Sequence, residues 1–149
     1  IDTYIFFLKK IKKQKLIKDL VVLLPTSPLR KTKQIDEAIK LYNKNKVSSL
    51  ISVKELEFPV QWIKTLKKYG GKVALRNNYK NHNLNRQRYN KYFIPNGSIF
   101  IFNAVKLMKY KKYYYKNSMP YIMNKQNSID IDDKIDFDIA EFLMRKGNY

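Results

Sequence analysis

Acidic residues are concentrated near the end of the chain. Five of its twelve Asp and Glu residues lie between positions 130 and 138, although the formal net charge is +19. If Asp130 to Asp132 is extended, its two-residue period puts both carboxylates on one face. Such a pair suits Mg2+ (or Mn2+), a hard ion that also binds substrate phosphates. The alternative is an acid-rich helix start, which accounts for Asp133 and Asp136 better than for the two residues ahead of them.

Hydroxyl and guanidinium groups follow the apolar run Leu20–Leu24. The run has the length and β-branched content of a strand buried on both faces, and prolines at 25 and 28 end it. Thr26 and Ser27 can donate and accept hydrogen bonds, and Arg30 offers a fork for a carboxylate or a phosphate. Ligands in an open α/β sheet bind at the carboxyl ends of the strands, where this turn would lie. A stiff turn whose Ser and Thr only cap the next helix remains the alternative.

A third group of candidates precedes the apolar run at 98–102. It consists of Arg86 with Gln87 and of Asn96 with Gly97. The basic and amide side chains could hold an anionic substrate, and Asn-Gly permits a backbone with positive φ. Taken alone, this signal is weak, and the residues by themselves favour a solvated loop followed by a turn.

The order of elements indicates an α/β fold. Helices and strands alternate over the first third of the chain, the pattern of a sheet with right-handed crossovers. We expect Thr32 to cap the second helix, whose buried stripe is Ile35, Ala38, Ile39 and Tyr42. The predicted elements are helices over 2–13, from 32 onward, over 104–111 and over 133–146, and strands over 20–24, 50–53, 98–102 and 121–123.

The stretch at about 57–88 is less regular than the rest. It contains Pro59, Trp62 and the pair Gly70-Gly71, which is a turn signal between Lys-rich segments. We therefore predict a hairpin or an arm outside the central sheet. The domain prediction is one domain over 1–149 that carries this arm.

Composition excludes several classes of protein. Without cysteine the chain has no disulfides, thiolate catalysis or Cys-based zinc site, and it is compatible with a reducing compartment, so we expect a cytoplasmic protein. The longest apolar run has five residues, far fewer than the ~18 of a membrane span. The excess of Lys is spread along the chain, so we expect only non-specific electrostatic binding of nucleic acid.

Taken together and in this order, these segments resemble the acylneuraminate cytidylyltransferases, also called CMP-sialic acid synthetases. The resemblance covers nearly the whole chain, and the pairing of PTSPLR with SIDID, with Asn-Gly between them, is its most specific part. The matching stretches are 21–30 (VVLLPTSPLR), 35–38 (IDEA), 51–53 (ISV), Pro59 with Trp62, 86–87 (RQ), 96–99 (NGSI), 120–123 (PYIM), 128–132 (SIDID), 136–137 (DF) and 140–141 (AE).

The resemblance implies an α/β, Rossmann-like, three-layer nucleotide-diphospho-sugar transferase fold with a mostly parallel sheet. It implies transfer of CMP from CTP to a nine-carbon 2-keto sugar acid, with release of pyrophosphate and with Mg2+ as cofactor. It also implies a homodimer in which an arm, here 57–88, helps to close the partner's site. By motif match, the metal pair is Asp130 and Asp132, the catalytic residue is Arg86, and substrate is bound by Thr26, Ser27, Arg30, Gln87, Asn96 and Gly97.

The chain also departs from the family pattern. Nothing in it matches the family's opening strand and glycine-rich segment, so we expect the C-terminal two-thirds of the enzyme, inactive alone. In the sugar-binding half, Leu24, Ile94 and Phe100 replace the family's usual Gln, Arg and Tyr. These departures leave open a second hypothesis, a non-catalytic α/β module for dimerisation or regulation.

Overall fold

The computed structural model describes residues 1–12, 16–77 and 85–147, and it divides the chain into two compact units. One unit consists of Ile1–Lys54 with Pro95–Tyr149, and the other is the intervening segment Glu55–Ile94. The first unit holds most of the residues that the sequence singles out for chemistry. The second contains the stretch for which the sequence predicts an arm.

The first unit is built on a four-stranded sheet in the order β1-β5-β2-β6. In the described part of the chain, no helix is both long and apolar enough to cross a membrane. The helices are α1 (Asp2–Lys12), α2 (Thr32–Asn45), α3 (Ala104–Tyr110) and α4 (Lys134–Lys146). The strands are β1 (Asp19–Val22), β2 (Ser49–Glu55), β3 (Lys64–Tyr69), β4 (Lys72–Asn77), β5 (Phe93–Asn103) and β6 (Met119–Ile122).

The α/β fold class is confirmed, but the sheet is mixed rather than mostly parallel. Strand β2 runs parallel to β6, whereas β1 runs antiparallel to β5. Strand β1 is terminal in the sheet order, and Val21 on it is 38% exposed. The prediction that this run is buried on both faces is therefore wrong for the described part of the chain. An apolar run reports that a strand packs, but not in which direction its neighbour runs.

The core forms where α2 covers the sheet. The predicted stripe is confirmed, because Ala38 and Tyr42 are buried and Ile35 and Ile39 pack against them. The first five residues of β2 are buried without interruption, as expected of a strand in the interior of a sheet. A second cluster, around Leu8, Phe102 and Leu107, packs α1 and α3 against the sheet. These contacts fix the positions of β2 and β5, which carry the site.

The helix caps agree with the sequence at one helix and not at another. Asp133 caps α4, because its carboxylate accepts hydrogen bonds from the backbone of Ile135 and Asp136. The predicted cap of α2 by Thr32 is wrong. That helix begins at Thr32 itself, and the side chain of Gln34 accepts from the backbone nitrogen of Lys31 at 2.8 Å. The side-chain amide of Gln34, the third residue of the helix, thus accepts from the backbone nitrogen just before the helix, as the Glu or Gln of a capping box does.

The second unit contains the predicted hairpin. Strands β3 and β4 pair antiparallel, with Leu66 opposite Leu75 and Lys68 opposite Val73. Both Gly70 and Gly71 have positive φ, as the tight connection requires. Whether this hairpin mediates dimerisation stays a prediction.

Candidate functional site

Asn96, near the middle of the first unit, is the centre of a buried network of hydrogen bonds. Its Oδ1 accepts from Ser52 Oγ at 2.6 Å and from the backbone nitrogen of Ser98 at 3.2 Å. Its Nδ2 donates to Ser128 Oγ at 2.8 Å and to Met123 Sδ at 3.4 Å. Because both ends of the amide are engaged inside the protein, Asn96 positions β2, β5 and the segment that leads to Asp130.

The two segments with the strongest sequence signals lie side by side. The backbone nitrogen of Ile131 donates to the carbonyl of Thr26 at 2.8 Å. Nearby, buried Asn127 donates from Nδ2 to the carbonyl of Leu29 at 2.7 Å. The turn after β1 and the acidic segment before α4 therefore form one edge, as the sequence predicts for groups at strand ends. We call residues 24–30, 96–98 and 127–132 the polar edge.

Gly97 lies directly against the side chain of Asp130 in the polar edge. A Cβ added to Gly97 would lie 2.9 Å from Asp130 Oδ2 and 3.5 Å from Leu24 Cδ1. Gly97 also has φ +74°, a conformation that L side chains rarely adopt, within strand β5. Glycine inside a strand marks a close approach of another group to its backbone. Here that group is the Asp130 carboxylate, whose other oxygen accepts a long hydrogen bond from Ser27 Oγ, at 3.5 Å.

Asp132 follows at the exposed end of the same segment. Its backbone nitrogen donates to Asp136 Oδ2 at 3.0 Å, which ties the segment to the start of α4. In residues 1–12, 16–77 and 85–147, neither Asp130 nor Asp132 forms an ion pair with Lys or Arg, despite the charge of +19. Other acids do find cations or capping roles: Glu37, Glu55, Asp133, Asp138 and Glu141.

Two carboxylates without cationic partners fit a hard divalent cation. No group of three or more His, Asp or Glu side chains converges on a metal position in the part of the chain that the structure covers. Mg2+ does not require such a group, because it keeps several waters and binds one or two carboxylates together with substrate phosphates. The donor set of Asp130 and Asp132 is therefore compatible with Mg2+ or Mn2+.

Arg30 lies within the polar edge, but its guanidinium is turned onto the backbone. Nη1 lies 2.6 Å from the carbonyl of Leu24, 3.0 Å from that of Ser27 and 3.4 Å from that of Ser98. Burial lowers the pKa of Arg30. This geometry makes Arg30 a brace between the turn and β5.

The remaining predicted residues differ in their burial and in the unit that contains them. Ser27 is fully buried, whereas Thr26 is exposed. Arg86 and Gln87 lie in the second unit, in a single 3-10 turn (Arg86–Arg88). The Gln87 backbone nitrogen donates to Asn85 Oδ1 at 3.4 Å.

Sequence reasoning missed three residues that hold the polar edge together. Ser52, Asn127 and Ser128 are all buried and hydrogen-bonded. A serine within the otherwise apolar run of β2 was the available signal, because a buried hydroxyl needs a partner.

Relatives of known function match most of this chain. No family model matches it. The N-acylneuraminate cytidylyltransferase of Escherichia coli O18:K1:H7 is 37% identical over 128 residues, which cover 85% of this chain and 30% of that protein. The protein of the same name from Streptococcus agalactiae serotype V is 32% identical over 119 residues, which cover 80% of this chain and 28% of that protein.

A third relative matches a larger share of its own length. The CMP-N,N'-diacetyllegionaminic acid synthase of Legionella pneumophila is 31% identical over 151 residues, which cover 97% of this chain and 62% of that protein. The α/β unit with its mixed sheet and polar edge defines a Rossmann-like nucleotidyltransferase fold. Within that class, the chain belongs to the acylneuraminate cytidylyltransferase family as a partial member. It spans 30% or less of the two N-acylneuraminate cytidylyltransferases described above.

Proposed function

We propose that this chain is part of a cytidylyltransferase that transfers CMP from CTP to a sialic-acid-like, nine-carbon 2-keto sugar acid. The anomeric hydroxyl oxygen forms a bond to the α-phosphorus, the bond from that phosphorus to the bridging oxygen breaks, and pyrophosphate leaves as the hydroxyl proton is lost. Two named activities among the relatives, on N-acylneuraminate and on N,N'-diacetyllegionaminic acid, support this substrate class. The product would be a CMP-activated sugar for surface glycans.

The observation that carries the proposal is the Asp130 carboxylate, which lies against Gly97 and meets no Lys or Arg side chain in the described residues. In the proposal, Asp130 and Asp132 hold Mg2+ or Mn2+. When bound, the ion would neutralise charge on the triphosphate and on the departing pyrophosphate. Capping of α4 does not account for Asp130 and Asp132, because Asp133 and Asp136 form that cap.

The other residues of the polar edge bind or position the substrates in this proposal. Ser27 and Thr26 form part of the wall of the substrate pocket, and Asn96 holds the wall in place through Ser52 and Ser128. The proposal also includes Arg86 as the catalytic residue and Gln87 as a substrate contact. These two roles rest on the motif match alone. Positioning and charge neutralisation supply most of the rate in chemistry of this kind.

We propose that the polypeptide acts as a homodimer, with the β3–β4 hairpin contacting a second copy. Strand alternation puts Leu66, Val73 and Leu75 on one face of the hairpin, and all three are more than half exposed. An isolated two-stranded hairpin is marginally stable in water, so a partner surface would stabilise it.

Light scattering should give a dimer mass for the wild type and a monomer for Leu66→Glu, with Lys67→Glu on the opposite face as control. A wild type that stays monomeric at high concentration contradicts this assignment.

Pyrophosphate release tests the proposed activity. CTP, Mg2+ and a panel of sialic, legionaminic and pseudaminic acids are incubated with the product of the complete coding sequence and, in parallel, with the 149-residue chain. We expect release with at least one acid from the former and little or none from the chain alone. Asp132→Asn should abolish the release, whereas Asp138→Asn, in a surface pair with Lys134, should not. Absence of release with every acid would favour the non-catalytic α/β module.

A further inference from the structure

The polar edge needs a cation that is free to meet an anion. If the proposed function holds, a triphosphate and a sugar carboxylate both approach Asp130, and a metal offsets only part of that negative charge. The sequence nominated Arg30 as the anion-binding fork. The structure places Nη1 of Arg30 against three backbone carbonyls, the shortest at 2.6 Å. Because Nη1 is committed to the backbone, a second basic side chain beside Asp130 would supply a donor that Nη1 cannot.

Lys54 is a basic residue whose side chain reaches the segment that leads to Asp130. It lies near the end of β2, two residues after Ser52, so strand alternation puts both side chains on the same face of the sheet. Ser52 binds Asn96, and Asn96 binds Ser128. Nζ of Lys54 lies 3.5 Å from the backbone carbonyl of Ser128, two residues before Asp130. The ammonium thus reaches the segment that carries both carboxylates.

The contacts of Lys54 leave most of its hydrogen-bonding capacity unused. An ammonium has three donors, and the single acceptor that it meets in the described residues lies at the long limit of a hydrogen bond. Its side chain is only partly exposed, because β2 is buried up to Val53. Across the described residues, Lys54 forms no ion pair with Asp130 or Asp132, so the cation and the carboxylates remain available to one ligand.

We propose that Lys54 is an anion-binding residue of the polar edge, whose ammonium contacts a phosphate or carboxylate oxygen of the ligand bound at Asp130. This inference rests on the proposed function and adds a contact to it. The two sources of the anion, the nucleotide and the sugar acid, share the chemistry that a lysine recognises.

Calorimetry on the product of the complete coding sequence tests the role of Lys54. The probes are CTP with Mg2+, inorganic pyrophosphate and N-acetylneuraminate, each at physiological salt because a charge of +19 attracts any anion at low salt. The variants are Lys54→Gln, Lys54→Arg and Asp130→Asn. Lys40→Gln, on the exposed side of α2, is the control that loses the same charge elsewhere.

We expect Lys54→Gln to weaken binding of at least one probe about ten-fold or more, the loss expected when one charge-assisted hydrogen bond is removed. Lys54→Arg should restore part of the affinity, and Lys40→Gln should change it less than two-fold. Selective loss with CTP and pyrophosphate assigns the contact to a phosphate, and loss with N-acetylneuraminate assigns it to the carboxylate.

Each other outcome has a distinct meaning. Equal losses in Lys54→Gln and Lys40→Gln overturn the Lys54 contact, because they reduce it to general electrostatics. Binding that is sensitive to Asp130→Asn but not to Lys54→Gln also overturns it, and leaves the proposed function intact. Binding that needs Lys54 but is indifferent to Asp130 and to Mg2+ supports the contact and contradicts the metal assignment. A product of the complete coding sequence that binds none of the probes overturns both.

Discussion

Replacing Asn96 with alanine is expected to destabilise the chain by about 3–5 kcal/mol. The substitution removes both ends of a buried amide and leaves the backbone nitrogen of Ser98 and the hydroxyl of Ser52 without their acceptor. Buried donors left unpaired cost free energy because they lose water without gaining a partner. Urea unfolding, followed by circular dichroism, measures the change in the free energy of unfolding.

Ser98→Ala provides the matched control, two residues along the same strand. The Ser98 hydroxyl is buried and has no hydrogen-bond partner among the residues that the structure describes. Its removal should therefore leave the free energy of unfolding unchanged within about 1 kcal/mol or raise it slightly. If Asn96→Ala were as mild as Ser98→Ala, the network could not be what holds the polar edge together.

Gly97→Ala is expected to weaken metal-dependent binding of CTP by an order of magnitude or more. The new Cβ would come 2.9 Å from Asp130 Oδ2, so either the carboxylate or the β5 backbone has to move. Displacement of a metal ligand by a few tenths of an ångström is costly for Mg2+, which demands near-ideal octahedral geometry. The affinity for CTP with and without Mg2+ is the measured quantity, and Asp130→Asn gives the reference for complete loss.

Gly71→Ala separates the effect of the carboxylate from backbone strain. Gly71 has φ +79°, close to the +74° of Gly97, but an added Cβ there meets no atom of the described residues within 4 Å. Both substitutions should cost about 1–3 kcal/mol of stability from the left-handed backbone, and only the one at Gly97 should affect metal-dependent binding. Equal effects of the two substitutions on binding would mean that Gly97 does not position Asp130.

Local patterns in the sequence predict the elements of the fold well. The spacing of Ala38 and Tyr42 identifies the buried face of α2, and Gly70-Gly71 identifies the hairpin turn. These features depend on residues close together in the chain, where periodicity and turn chemistry are informative. Sheet direction is different, because an apolar run such as the one in β1 packs equally well beside a parallel or an antiparallel neighbour.

The sequence predicts where the candidate site lies better than it predicts the role of each side chain in it. The sequence singles out the turn after β1 and the segment around Asp130, and the hydrogen bond from the Ile131 backbone nitrogen to the Thr26 carbonyl joins these two segments in the structure. The same motifs nominated Arg30 as a substrate contact. The side-chain types of Arg30 and Lys54 do not reveal that Arg30 meets three backbone carbonyls and Lys54 a single one at 3.5 Å, because these contacts depend on segments distant in the sequence. Only the three-dimensional structure shows that Arg30 Nη1 is held by backbone carbonyls, whereas most of the donor capacity of Lys54 is unused.

We propose above that Asp130 and Asp132 hold a divalent cation beside a cytidine nucleotide. Crystals of the chain grown with CTP and Mn2+, with data collected at the manganese absorption edge, test it most directly. We expect an anomalous peak within coordinating distance of a carboxylate oxygen of Asp130, a carboxylate oxygen of Asp132 and a phosphate oxygen of the nucleotide. A bound nucleotide whose manganese lies away from Asp130 and Asp132, with both carboxylates turned away from the metal, would contradict this metal assignment.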